Sequence, residues 1–141
     1  MSKFLSAQAL MIALLQTNLT CKVRPAIDLD FVVKNALTPS VSVIFFDDVP
    51  DEKTTAQFNH GQQQSSHQFW LVVVSVRNVA DVGNSALQDV GSLADAVLTT
   101  LQGATLSESH TYLQRVKSPY RQTTLDGYTH LPLMFSTNIV M

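Results

Sequence analysis

Eight residues, Phe69-Trp70-Leu71-Val72-Val73-Val74-Ser75-Val76, constrain the fold of this 141-residue chain more than any others. They are aromatic and β-branched, the residue types that favour a strand. Successive strand side chains point to opposite faces, and both alternating sets stay apolar until Ser75 and Arg77 restore polarity on one. Such a strand tolerates water on neither side, so it belongs in the middle of a sheet covered by a layer on each face. At this length the chain makes one domain, residues 1–141.

The flanking segments supply the layers. Residues 3–17 read as a helix of about four turns, capped by Ser2 and free of Gly and Pro. Its apolar residues run most of the way round, so one face is expected on the sheet and another, through Leu10 and Leu14, against a second copy of the chain. After a connector containing Pro25, Phe31-Val32-Val33 and Val41 to Phe46 read as two strands split by Pro39-Ser40. Residues 47–67 lose all periodicity and read as a long polar loop, expected to be mobile in the free subunit and to order on a partner. Leu87, Val90, Ala94, Val97, Leu98 and Leu101 recur at helical steps before Gly103 ends the pattern. Tyr112 to Lys117 and Tyr128 to Val140 read as the last strands, with turns at Ser118-Pro119-Tyr120 and Leu125-Asp126-Gly127. The order α-β-β-β-α-β-β predicts an α+β domain: a mainly antiparallel sheet of about five strands with two helices packed on it.

Charge and chemistry narrow the function by exclusion. Charged residues make up only 14% of the chain, against roughly 25% in an average soluble domain, which leaves surface to be covered by other subunits. Nine basic and eleven acidic residues, divided evenly between the halves, give no surplus for general nucleic-acid binding. The single Cys21 rules out an internal disulfide and fits a reducing compartment. Lys3 and the stretch Phe4–Leu15 have the outline of an export signal, but Ser6 and Gln8 interrupt it and Asn18-Leu19-Thr20 is a poor cleavage site. No segment has the ~20 apolar residues of a membrane span. There is no Gly-x-Gly-x-x-Gly, no phosphate-binding Gly-Lys-Ser/Thr loop and no Gly-x-Ser-x-Gly. His60, His67, His110 and His130 lack metal-ligand spacing and, beside polar neighbours, read as surface or turn residues. Two charged groups remain. Asp47, Asp48, Asp51 and Glu52 are either a solvated turn or oxygen ligands for a divalent ion. Arg115, Lys117 and Arg121, among Tyr112 and Tyr120, are either a solvated edge strand guarded by charge or a surface that tracks a nucleic-acid backbone weakly.

From Gln68-Phe69-Trp70 through Arg77-Asn78, then Ala86, Gly91, Leu93-Ala94-Asp95-Ala96-Val97, Leu101 and Gly103, the sequence resembles the tail terminator proteins of long-tailed bacteriophages. The likeness runs in order over most of the chain. It implies a structural virion protein, assembled in the host cytoplasm as a homo-hexameric ring on the tail tube. Such a ring stops tube polymerisation and meets the head completion or connector protein, with DNA merely passing through its lumen. No enzyme activity and no cofactor are implied. The family has no short catalytic motif, so only the Trp70–Asn78 strand and the Leu87–Gly103 helix carry over, as scaffold. Candidate subunit or partner contacts come from the residue reading instead: Leu10, Leu14, Asp47, Asp48, Asp51, Glu52, Phe58, Arg115, Lys117 and Arg121. Two other readings compete: a small α+β adaptor or binding module acting as monomer or dimer, and a metal-dependent hydrolase using Asp47, Asp48, Asp51 and Glu52.

Overall fold

The computed structural model describes residues 3–36, 39–50, 65–77, 83–125 and 127–140, with side chains in the third helix from residue 89. Its elements are α1 (Ser6–Asn18), β1 (Lys22–Ala26), α2 (Leu29–Lys34), β2 (Ser40–Pro50), β3 (Ser65–Arg77), α3 (Gly83–Leu101), β4 (Gln114–Val116), β5 (Thr123–Leu125) and β6 (Tyr128–Val140). The sheet has six strands in the order β1-β2-β3-β6-β4, with β5 beside β6. All pairs are antiparallel except β1 with β2. The α+β, mainly antiparallel expectation holds, with one more strand and one more helix than the sequence pattern predicts.

The Trp70 strand is central. β3 pairs with β2 on one side and along its full length with β6 on the other, Trp70 lying between Phe45 and Phe135. Trp70, Val72, Val74 and Val76 form one core with Ala7, Met11 and Leu15 of α1 and Val90, Ala94, Val97 and Leu101 of α3. On the opposite face Leu71 and Val73 join Val32 of α2, Ile44 and Met134 in a second, smaller core. Each face of the strand thus removes its own apolar set from water, at about 25 cal/mol per Å2 buried. Rings lock α1 onto the first core: Phe45 stands edge-on to Trp70 at 5.2 Å and to Phe4 at 5.9 Å. Two amides reinforce them, Gln68 Nε2 donating to the Phe4 carbonyl and Gln8 Nε2 to that of Val43.

Several expectations are corrected. Residues 31–33 are helical, not a strand: Asp28 caps α2 by accepting from the Phe31 N–H at 2.8 Å, and the run is too short for its periodicity to distinguish the two states. The Pro25 connector is β1, parallel to β2 through a crossover of about a dozen residues carrying α2. A proline is tolerated there because β1 is an edge strand. Residues 47–50 and 65–67 are strand and not loop, since β2 runs on to Pro50 and β3 begins at Ser65; the rest of the expected mobile loop, residues 51–64, lies outside the described residues. A hairpin β5–β6, closed by Gly127 at φ 81°, follows the Ser118–Tyr120 turn. Helix α1 starts at Ser6 with Leu5 as its N-cap and no side-chain cap; Ser2 lies outside the described residues. Helix α3 ends as expected, with Gly103 at φ 81°.

Candidate functional site

The described surface presents two charged edges at one end of the sheet. β1 stops opposite Ile44, because the chain turns away into α2, so β2 from Phe45 to Pro50 has no neighbour on its outer side among the described residues. A bulge at Phe46 kinks this stretch. Phe46 and Val49 are exposed, and Phe46 is held edge-on by Tyr120 at 6.0 Å, from the turn between β4 and β5. Asp47 is exposed and accepts the Asp48 backbone N–H at 2.8 Å. Asp47 lies opposite Phe69 and Asp48 opposite Gln68, so the two carboxylates leave the strand toward opposite faces. They do not converge on one cation. Asp51, Glu52 and Phe58 lie outside the described residues, and among the described ones no group of three His, Cys, Asp or Glu side chains could hold a metal.

Across the same end of the sheet lies β4. One register row runs Phe45–Trp70–Phe135–Arg115, the next Asp47–Phe69–Ser136–Gln114. The turn after α3 covers the start of β4: Gly103 N–H donates to the Leu113 carbonyl and Leu113 N–H to that of Ala104. Beyond it Arg115 and Lys117 are exposed, as is Arg121 in the following turn, and none of the three has an ion pair among the described residues. A notch of about 350 Å3 between Arg115, Lys117, Ser118 and Pro132 marks where β6 lacks a partner between β4 and β5.

The first helix turns one face to the sheet and leaves Leu10 and Leu14 partly open. Ala7, Met11 and Leu15 are buried, while Leu10 and Leu14 are half-buried.

The histidines correct the sequence reading most sharply. His130 is 1% exposed and His110 6%. On the second face Ser75 Oγ meets His130 Nδ1 at 2.8 Å, and His130 stacks on Tyr128. Arg24 donates from Nε to Ser42 Oγ at 3.1 Å with its guanidinium 5.4 Å from the Phe31 ring centroid. Burial, then the charge of Arg24, pushes the His130 pKa below the usual imidazole range; burial alone does so for His110, which Ser107 meets at 2.6 Å. His67 pairs with Asn138. His60 lies outside the described residues. The alternation of β6, which puts His130 on the same face as Pro132 and Met134, was the available signal for its burial. A cavity of about 670 Å3 between the end of α1 and α3 is lined by Cys21, Val76, Leu93 and Ala96, and burial raises the pKa of the Cys21 thiol. No nucleophile, base and orienting carboxylate come together among the described residues.

Comparison with known proteins accords with this structural character. No curated protein matches the chain. Among solved structures it resembles a chain of the "Virion of native gene transfer agent (GTA) particle", with a TM-score of 0.54 and 16% identity over 97% of this chain and 89% of that one; a likeness at that identity speaks for the fold. A family model described as "Phage tail terminator protein" matches residues 1–141, the whole sequence, and the chain therefore belongs to the phage tail terminator family.

Proposed function

We propose that the protein is a structural subunit of the virion that assembles, six copies to a ring, on the end of the tail tube, ends tube polymerisation and offers its outer surface to the head connector. The family match over residues 1–141 carries this reading. The low charge of the chain supports it, since surface free of charge is what repeated subunit contacts need. So do the two edges left open among the described residues: a subunit whose unlike edges face away from each other is suited to head-to-tail closure. In this role the protein carries out no catalysis and needs no cofactor, and DNA only passes through the lumen. Assembly takes place in the host cytoplasm before tail and head join.

Polymerising tail tube protein tests the proposal. Added well below the tube protein in amount, this protein should stop growth, seen as a plateau in light scattering that moves with the dose. Growth that continues unchanged would refute terminator activity and leave the adaptor reading.

A further inference from the structure

We infer that the acidic outer edge of β2 in one copy docks against the basic outer edge of β4 in the next, the exposed Asp47 meeting Arg115 and Lys117. The inference rests on the ring reading and names its subunit contact. Three observations lead to it. First, both edges lack an outer strand neighbour among the described residues at the same end of the sheet: β1 stops opposite Ile44 on one side, and the turn after α3 stops at Leu113 on the other. Second, they lie on shared register rows, three strand spacings or roughly 14 Å apart, so translation and rotation of a copy bring one edge against the other. Third, their charges are opposite and are not neutralised by an ion pair within the chain among the described residues.

The charges also decide the symmetry. Two β2 edges would set carboxylate against carboxylate, and two β4 edges cation against cation, so each edge rejects its own kind. Only unlike edges meet, which disfavours a two-fold dimer and favours a heterologous contact that closes into a ring. The backbone of β2 beyond Ile44 and that of β4, each without an outer strand neighbour among the described residues, can then pair and extend the sheet from one subunit to the next. Pro50, with no N–H, sets a limit to that pairing on the β2 side.

The test exchanges the charges. Wild-type assembly is established first, in solution by light scattering and at the ends of purified tail tubes; wild type that assembles in neither overturns the ring reading. Under the assembling condition, Arg115→Glu with Lys117→Glu should weaken assembly at least tenfold, as should Asp47→Lys with Asp48→Asn, the half-buried Asp48 being neutralised rather than reversed. An equimolar mixture of the two double variants should restore it, in rings containing both in equal numbers, because every contact then joins unlike charges. Circular dichroism checks that each variant is folded. If one is not, Asp47→Asn and Arg115→Gln replace the reversals, and each should weaken assembly and flatten its salt dependence. Folded variants that assemble like wild type, or whose mixture fails to restore assembly, overturn this contact while leaving the ring standing. Normal homo-assembly with lost attachment to tubes overturns it too, assigning the edges to a different tail protein.

Discussion

At the scale of single residues, Trp70 bears the most packing and His130 the most unusual environment. Trp70 is fully buried between Phe45 and Phe135, so Trp70→Ala should cost about 3–5 kcal/mol, read from the denaturant midpoint. Its indole Nε1 finds no hydrogen-bond partner among the described residues, and Trp70→Phe should accordingly cost clearly less than Trp70→Ala. A native fluorescence maximum typical of a water-exposed indole would contradict the placement. For His110 and His130 the sign of the pH effect follows from their lowered pKa values. The unfolded chain takes up these protons first, near 6.5, so their stabilising contribution is complete above that pH and fades as pH falls below it. Unfolding midpoints at pH 7.5 and 5.5 should differ in the wild type and differ less in His130→Gln; the same difference in both would remove His130 from the account.

Elements show what the sequence made legible and what it did not. The β3 strand and the α3 helix could be read from local pattern alone, because Phe69–Val76 is apolar on both faces and Val90, Ala94, Val97 and Leu101 repeat at one helical stripe. Helix α2 could not: Phe31-Val32-Val33 is β-branched and short, and only the Asp28 side chain on the Phe31 N–H and the packing of Val32 on Ile44 make it helical. Asp28→Ala should cost about 1 kcal/mol by thermal melting, with little effect expected if the segment were extended. Strand β1 was hidden by Pro25, whose missing N–H is harmless only on an edge that no local pattern reveals. Of the candidate contacts, Asp47 and Arg115 could be found by composition, but their standing on strands at two opposite edges depends on long-range pairing of β2, β3, β6 and β4. Helix α1 is the intermediate case. Leu10→Asp or Leu14→Asp should destabilise the fold or its assembly by about 1–3 kcal/mol, since each is half-buried rather than enclosed. Unchanged melting and oligomer mass for both variants would show that this side of α1 faces only water.

For the whole molecule, a chain with few charges and two unlike sheet edges left open among the described residues gains most of its sense from repetition. Each face of its sheet carries a core of its own, so in the proposed ring the subunits would meet through edges and rims. That arrangement fits the proposed ring, whose subunits would keep their own cores while sharing borders. The central claim is that such a ring closes the tail tube. Electron microscopy of tubes grown with the protein tests it most directly: the account predicts tubes that end in a sixfold ring of this chain and grow no further. Bare tube ends and unlimited growth, with the protein remaining as single subunits in solution, would contradict it.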